Sequence, residues 1–587
     1  MKCIDPLVPE VERGLVMQGV PLGHPAFVAA WLDRHLASQR EILRRLVAYV
    51  PDRLAAAQML SWCIVPRIAH ILRALPPPAT ADFATAFDDA CVACFTAIAA
   101  PDFAQAGLPP TADTIMRLKL RDGGFDIGGQ HRSAPAAYVA AWVTARRLIR
   151  RLAPSLAPHL PTHLHVRPAA LGDPQPFDPA AVPLTPEADD PAAGIPAPIR
   201  ALHDAIAQLH PDAKTALGDY ADAVDAWAVA AGNSGPRDPG DDKPVDPASI
   251  PLQAKLSRPS HDAFHATFVS SLASEPVILA KHRSQAGTLG MQWFQRLNHP
   301  GAHHISNEAF TTAVALHLSL PIAAFEGLTC GCGVALTGDS GPLHIVSCNQ
   351  FAKLPRSETF QHAFDSIIQE VCKDVRIEGA KRANGQQTPC APYATVPMVD
   401  AAGHPVLDAA GVQKLKDIIP DRVVRQMLDD QIGPSGRYII DTAIPSPEAA
   451  SHRDAAAKMD LAAAGKTYAR KYAIYTPVLK PHDVLLPVVC ESWGGLHPTT
   501  EERLKAWAKY IDRQVPTTYR DIPSDTLNPQ IMGIWRMRLS CALLLGRVGL
   551  VFSALDKLAG VPARSSTLAY RIAHPLYRAQ EFGRLRR

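Results

Sequence analysis

Two aspartates in the last third of the sequence are each set in an apolar run. Asp441 interrupts "RYIIDTAI" (437–444), which is typical of a buried strand, and Asp421 follows a proline in "KDIIPDRVV". An ionised carboxylate in such a setting costs several kcal/mol unless it is paired, hydrogen-bonded or bound to a metal. Two strand-borne carboxylates joined by a long hairpin can hold Mg²⁺, which takes oxygen ligands and activates water against a phosphate. In the alternative interpretation, Asp441 ends its strand and caps a turn toward Pro445.

A basic helical segment follows the second aspartate. In "GKTYARKYAIY" (465–475), Lys466 and Lys471 lie in one basic stretch. If such a lysine pointed at the two acids, it could orient the attacking water or neutralise the phosphate. The competing interpretation is a solvated basic helix.

Three cysteines and a histidine lie close together in "CGCGVALTGDSGPLHIVSC" (330–348). Thiolates and imidazole are the ligands of a tetrahedral zinc site, and His344 and Cys348 are four residues apart, so both can face one ion from a single helical turn. The alternative is three buried, reduced cysteines and a surface histidine. The four candidate zinc ligands are Cys330, Cys332, His344 and Cys348.

The composition sets the class of protein. A length of 587 residues predicts roughly three to four domains, and 47% hydrophobic with 20% charged residues predicts that most of the chain folds. The net charge of +3 neither demands nor excludes a nucleic-acid partner. The arginine-rich end, 564–587, suits phosphate groups, although a solvated helix face would have the same composition.

The expected compartment is reducing. Eleven cysteines, an odd number spread over a long chain, do not match a secreted disulfide framework. No signal peptide is predicted, and the apolar stretch "LSCALLLGRVGLVFSAL", interrupted by Arg547, is expected to be too short to span a bilayer. We therefore predict a soluble nuclear or cytoplasmic protein with no membrane partner.

Three segments near the beginning resemble a known family when taken in order: "GVPLGHPAFVAAWL" (19–32), "LAAAQMLSWCIVPRIAHILRALPPP" (54–78) and "MRLKLRDGGFDIGG" (116–129). They are similar to the region after the polymerase palm in reverse transcriptases of non-LTR retrotransposons. The carboxylates that a polymerase needs for its two cations are missing. Phe87-Asp88-Asp89 is the one tempting match, but its helical spacing predicts an exposed helix turn. The resemblance therefore implies a thumb without its palm.

The later motifs resemble the other parts of the same retrotransposon proteins. A Cys-Cys-His-Cys knuckle follows a helix like Phe310 to Pro321 in that family. The two acids resemble the PD-(D/E)xK restriction-like nucleases, except that Ala443 stands where a lysine is expected. In site-specific non-LTR elements the lysine comes from the following helix, which implies Lys471, with Lys466 as the alternative.

The same resemblance supplies further candidates. "RSETFQHAFDSIIQEV" (356–371) is similar to the family's Arg–His helix, and "LLPVVCESWGGL" (485–496) to its strand ending in Glu-x-x-Gly-Gly. Glu491 is thereby implied as a further acid at the metal site or as a support for it. The residues implied to contact DNA are Arg356, His362, Arg470 and Tyr472.

Together these patterns predict a multidomain α and α/β protein. The predicted segments are a thumb-like helical domain (1–165), a Pro/Ala/Asp-rich linker (166–250), a helical linker domain (251–328), a zinc knuckle (329–350), a restriction-like α/β endonuclease domain (351–560) and a basic tail (561–587). The expected function is Mg²⁺-dependent nicking of target DNA, and zinc is the expected structural cofactor. The expected further partners are element RNA and a palm-bearing reverse transcriptase. The alternatives are an inactive nucleic-acid-binding remnant and a structural subunit of a ribonucleoprotein.

Overall fold

A computed structural model describes most of the chain. The described residues are 8–152, 197–220, 252–295, 305–338, 340–351, 354–371, 376–379, 390–400, 404–425, 437–514 and 524–558. Most of the predicted linker and the whole basic tail lie outside them. The protein is mostly helical with small sheets, which confirms the predicted combination of α and α/β structure in this coarse form.

The chain divides into two compact units, which is a coarser division than the six segments predicted from the sequence. The first unit comprises Met1–Tyr49, Met59–Phe95 and Asp126–Phe268, and the second comprises Val50–Gln58, Thr96–Phe125 and Val269–Arg587. The segment boundaries remain predictions.

The first unit consists of helices and one β-hairpin. Its elements are β1 (Gly14–Met17), β2 (Val20–Gly23), α1 (Pro25–Tyr49), α3 (Ala69–Ala74), most of α4 (Pro77–Ala99), α6 (Gln130–Leu152), α7 (Ala197–Ala207), α8 (211–220) and most of α9 (Leu252–Ser271); most of α2 (Arg53–Met59) belongs to the second unit. The hairpin turns through Gln18 and Gly19, which both have positive φ angles (50° and 77°), as a tight two-residue turn requires.

Asp88 departs from the sequence-based expectation in one respect. The Phe87-Asp88-Asp89 triplet is helical, as predicted, and Asp89 is exposed, but Asp88 is fully buried. Its carboxylate accepts hydrogen bonds from the backbone N–H groups of Gln130 and His131, both at 3.1 Å. Burial opposes ionisation, but these bonds and the His131 side chain outweigh it and lower the pKa of Asp88. Asp88 therefore caps the start of α6, a use that periodicity within α4 could not reveal.

The second unit contains the larger sheet. Its remaining helices are α5 (Pro110–Arg117), α10 (Pro276–Gln285), α11 (Asn307–Leu318), α12 (Ser340–Ser347), α13 (Leu354–Val371), α14 (Arg453–Ala456), α15 (Ala462–Tyr475), α16 (Pro498–Gln514) and α17 (Ser524–Leu558); its strands are β3 (Arg376–Glu378), β4 (Ala394–Pro397), β5 (Leu415–Ile418), β6 (Arg422–Arg425), β7 (Arg437–Ala443) and β8 (Asp483–Val489). Strands β4 and β5 form a separate antiparallel ribbon.

The four-stranded sheet has the order β3-β6-β7-β8. The pairs β3/β6 and β6/β7 are antiparallel, whereas β7 and β8 are parallel and are connected through α15. A parallel pair needs such a crossover because its second strand must start at the same end of the sheet.

Alternate side chains of β7 pack into two different hydrophobic cores, one on each face of the sheet. Tyr438 and Ile440 pack with residues of α13, α16 and α17, including Phe364, Trp507 and Trp535. On the opposite face, Ile439 packs with residues that include Tyr475 of α15. Because successive side chains in a strand point to opposite faces, Asp441 shares the α15 face with Ile439.

Helix α17 contains the apolar stretch that Arg547 interrupts. The stretch was expected to be too short to span a bilayer, and it lies in a helix of 35 residues. Two helical segments, Arg53–Ala74 and Pro529–Leu558, are long and apolar enough to cross a membrane, with 50% and 78% of their most apolar windows buried inside the protein. In α17 the apolar side chains supply the core around Trp535 and Leu539, which is the ordinary role of a long buried helix in a globular protein.

Candidate active site and metal centre

The two aspartates lie side by side on the α15 face of the sheet. In the β6/β7 register, Arg422 pairs with Ile440, and extending that register by one residue sets Asp421, immediately before β6, opposite Asp441. The backbone N–H of Thr442 donates a hydrogen bond of 2.7 Å to Asp421 Oδ2. The sheet thus brings together two acids that are far apart in sequence.

The local electrostatics follow from this juxtaposition. Burial raises the pKa of Asp421, and the negative charge of Asp441 raises it further; the Thr442 N–H, Lys471 and Arg422 oppose the shift without cancelling it. Two neighbouring carboxylates resist being ionised together, and a cation between them would relieve the repulsion.

Helix α15 supplies the nearest positive charge. Lys471 Nζ donates a short hydrogen bond to Asp441 Oδ1, and both side chains are mostly enclosed, with exposed fractions of 14% and 16%. Tyr475, one turn later, also hydrogen-bonds Asp441; burial raises the pKa of its phenol, and Asp441 raises it further. Asp421, Asp441 and Lys471 therefore converge, as the sequence predicted for a shared site.

The alternative lysine points elsewhere. Lys466 is exposed, and its Nζ donates a 3.0 Å hydrogen bond to the Ser451 carbonyl oxygen. The contact with Asp441 thus favours Lys471 of the two candidates.

Glu491 is buried at the start of α15, with 1% of its surface exposed. Leu461, the residue before the helix, makes no side-chain cap, and Glu491 Oε1 accepts a 3.1 Å hydrogen bond from Ala464 N–H instead. A Cβ at Gly495 would lie 2.7 Å from Glu491 Oε2, so the Gly-Gly pair leaves room for the carboxylate. Burial raises the pKa of Glu491, opposed by Ser284 and by the helix N–H groups. Its contacts are those of a helix cap.

Arg356 does not have the exposed position expected of a DNA contact. It is 3% exposed, and its guanidinium donates to the Ile444 carbonyl at 2.8 Å and to the Val346 carbonyl at 3.4 Å. Arg356 thus ties α13 to the chain just after β7. It is enclosed by protein, so in this structure it is not available to a nucleic acid.

The other three predicted DNA contacts have different surroundings. His362 lies on α13 with 17% of its side chain exposed, 3.9 Å from Asp365. Asp365 in turn pairs with Arg422 at 3.0 Å; burial raises the pKa of Asp365 to about 6, although Arg422 opposes the shift. Arg470 and Tyr472 are exposed on α15, Tyr472 with 47% of its surface.

Two features of the site were missed from the sequence. Tyr475 follows Lys471 by one helical turn, so the i, i+4 spacing could have indicated that both face Asp441. A stack of aromatic rings on α15 also includes His497, from beyond β8. No local signal predicts that contact, because it depends on how α15 packs against a distant segment.

The four predicted zinc ligands form a compact cluster whose ligand atoms all lie within 4.8 Å of one another. Cys330 Sγ is 3.7 Å from Cys348 Sγ, and Cys332 Sγ is 3.2 Å from His344 Nε2. In a tetrahedron with Zn–S bonds of about 2.3 Å, two sulfurs are roughly 3.7 Å apart, so these spacings fit. The cluster could therefore hold a zinc ion.

Local structure explains how the cluster forms. A tight turn, in which Cys330 N–H donates to the Val334 carbonyl at 2.8 Å, presents the first two cysteines. Helix α12 carries His344, and the Cys348 N–H donates to the His344 carbonyl at 2.7 Å, so the other two ligands come from one turn. Burial raises the pKa of Cys330 to about 11, whereas hydrogen bonds, first that of the Val334 N–H, lower the pKa of Cys332.

No protein-family model and no curated protein matches this chain.

Proposed function

We propose that the protein is a DNA endonuclease of the PD-(D/E)xK restriction-like type, which nicks one strand with the help of Mg²⁺. The observation that carries the proposal is the convergence of Asp421, Asp441 and Lys471 on one face of the sheet. These are two oxygen ligands and one cation, which is the set of groups that metal-assisted phosphodiester hydrolysis requires.

The surroundings of the two carboxylates fit a divalent cation. Asp421 and Asp441 share one face, and the pKa of Asp421 is raised first by burial and then by the charge of Asp441, which Lys471 does not cancel. Bound there, Mg²⁺ would supply a polarised water and a counter-charge for the phosphate. Asp421 is held by Thr442 N–H and Asp441 by Lys471 and Tyr475, so the ligands are oriented before any ion arrives.

We assign to Lys471 the role of the lysine that PD-(D/E)xK nucleases carry on the strand, two residues after the second acid. Ala443, two residues after Asp441, offers no ammonium group, whereas α15 brings Lys471 to the same carboxylate from the other direction. Its positive charge can neutralise a phosphate oxygen or orient the attacking water.

We further propose that the chain acts within a site-specific non-LTR retrotransposon system. The thumb-like segments, the knuckle and the nuclease motifs occur in the order of that family. Asp88, the candidate polymerase acid of Phe87-Asp88-Asp89, is engaged as a helix cap. In such a system, reverse transcription from the nick would use a polymerase palm and the element RNA as partners. The cysteine cluster and the basic tail would position the nucleic acid, in the nucleus or the cytoplasm.

A nicking assay on supercoiled plasmid, with and without Mg²⁺, tests the proposal. We expect Asp421→Ala, Asp441→Ala and Lys471→Ala each to lower the nicking rate at least about 100-fold. Lys466→Ala is the matched control on the same helix, and Asp454→Ala, whose side chain is 80% exposed, is the control for loss of an acid; both should nick normally. Wild-type protein that never nicks with Mg²⁺, or nicking that persists in both acid variants, removes the nuclease assignment.

One observation favours a second candidate, a nucleic-acid-binding remnant without turnover. Asp441 already has an ion pair with Lys471, so its charge is balanced without a metal. A remnant, or a structural ribonucleoprotein subunit, would bind DNA or RNA with no Mg²⁺-dependent nicking, and the acid variants would bind as well as wild type.

A further inference from the structure

Three flat rings are stacked in a row beside the candidate active site. The rings of His497 and Tyr468 have centroids 4.0 Å apart and planes within 5° of parallel. The rings of Tyr468 and Tyr472 are 6.0 Å apart and within 19° of parallel. Tyr472, the outer ring of the row, is 47% exposed. The row therefore runs from His497 through Tyr468 to the solvent-exposed ring of Tyr472.

The row lies next to the groups proposed for catalysis. Tyr468 is the i, i+3 neighbour of Lys471 and the i, i+4 neighbour of Tyr472 on α15. Lys471 in turn contacts Asp441. The middle ring of the row therefore adjoins the side chain that contacts Asp441.

The inner ring is fixed by its own contacts. His497 immediately precedes α16, and its Nδ1 accepts a 3.4 Å hydrogen bond from Thr499 N–H. Burial lowers the pKa of His497, so the ring is a neutral imidazole at pH 7. The neutral, flat ring of His497 can stack against Tyr468, and Tyr468 in turn stacks against Tyr472.

We propose that Tyr472, backed by Tyr468 and His497, is a stacking platform for an unpaired nucleobase of the DNA strand held at Asp421 and Asp441. This inference rests on the proposed nuclease function, because it takes DNA as the ligand. An exposed ring beside an ammonium group matches the two parts of a nucleotide, the flat base and the anionic phosphate. A base inside a duplex has both faces covered by its neighbours, so the platform selects a strand that is locally unpaired.

The substrate class follows from this geometry. The preferred DNA has a single-stranded or melted segment next to the cleaved phosphodiester, rather than a continuous duplex. Recognition by stacking is tolerant of sequence, since every base has a flat face.

The test compares two short oligonucleotides that carry the same phosphates. One is oligothymidine and the other is an abasic strand of equal length, and their affinities for the full chain are measured by fluorescence anisotropy without added Mg²⁺. We expect wild type to prefer the strand with bases, and Tyr472→Ala to reduce that preference about five-fold or more. Tyr472→Phe should keep it, because the ring and not the hydroxyl makes the contact. Tyr49→Ala removes another exposed tyrosine (74%) and should leave the preference unchanged.

The inference is overturned if Tyr472→Ala keeps the wild-type preference, if Tyr472→Phe loses it as fully as Tyr472→Ala, or if Tyr49→Ala has the same effect. These results are separate from those of the nicking assay. A nicking enzyme with no Tyr472-dependent preference refutes the platform alone. Absence of nicking with a Tyr472-dependent preference refutes the nuclease and leaves the platform standing.

Discussion

Asp421 is a residue whose ionised form is unfavourable in the folded protein. Its raised pKa means that folding favours the protonated carboxyl, so at pH 7 the ionised side chain lowers the stability of the native state. Asp421→Asn removes that charge and keeps an oxygen for the Thr442 N–H. We expect the variant to have a higher apparent Tm than wild type at pH 7. The difference should shrink as the pH falls through the raised pKa of the folded state and should vanish below 3.8, the ordinary value, where the carboxyl is protonated in both states.

Magnesium should reverse the order of stability. Millimolar Mg²⁺ stabilises whichever form binds it, so the apparent Tm of wild type should rise while that of Asp421→Asn stays constant. Thermal melts with and without added Mg²⁺ measure both effects, and Asp454→Asn serves as the exposed-acid control. An Asp421→Asn variant that is less stable than wild type at pH 7 without added Mg²⁺ would contradict the electrostatic argument.

At the residue scale, a site residue could be predicted from the sequence where its position depends on a single strand or helix. Asp441 could be singled out because an acid in an apolar strand is costly, whereas Lys471, with Lys466 as the alternative, was implied by the family resemblance. The burial of Arg356 and Glu491 could not be predicted. Both have ordinary partners, backbone carbonyl and N–H groups, that belong to segments far away in sequence.

At the element scale, α15 is held at its first turn by a residue from beyond β8. Glu491 accepts from Ala464 N–H, and the same helix carries Lys471 and the stacked tyrosines. Glu491→Ala would leave buried N–H groups without a partner, at a cost of about 1–3 kcal/mol, and would loosen the start of the helix. We expect lower stability and slower nicking, because Lys471 would lose its fixed position.

Glu491→Gln separates this role from that of a metal ligand. The amide oxygen of glutamine can still accept from Ala464 N–H, so a cap should keep most of its stability and nicking. A carboxylate that bound Mg²⁺ would instead lose its charge, and the variant would need much more Mg²⁺ for the same rate. Nicking rate as a function of Mg²⁺ concentration, measured beside the melting temperature, distinguishes the two.

The sequence predicted whether a segment is a helix or a strand more often than it predicted where that segment begins and ends. The family resemblance indicated helices at α13 and α15, and the apolar run around Asp441 indicated β7. The apolar stretch around Arg547 was expected to be too short to span a bilayer, and it lies in a helix of 35 residues. In the structure Arg547 is buried, and its guanidinium lies 4.5 Å from the Trp493 ring. A charged residue with a partner inside the protein does not end a helix.

At the scale of the whole molecule, the cysteine cluster shares a hydrophobic core with the last turns of α17. Cys330 and Cys348 pack in one cluster with Leu550 and Val551. A zinc ion bound by the four ligands would therefore stabilise more than the short knuckle, because its loss would also unpack the end of a long helix. The sequence predicted the ligand set, since the four residues lie within one short segment, but not its packing against a helix two hundred residues later.

Zinc content and hydrogen exchange test this coupling. We expect about one zinc per chain by elemental analysis, lost in Cys332→Ser but kept in Cys63→Ser, which removes another exposed free cysteine. Loss of zinc should lower the unfolding free energy by about 3 kcal/mol or more. Amide exchange should then become faster in α12 and near Leu550, while α1 exchanges as before. Wild-type protein without zinc would favour the interpretation of three reduced cysteines and a histidine. Zinc loss that speeds exchange in α12 alone would show that the knuckle and the end of α17 are energetically independent, despite their shared core.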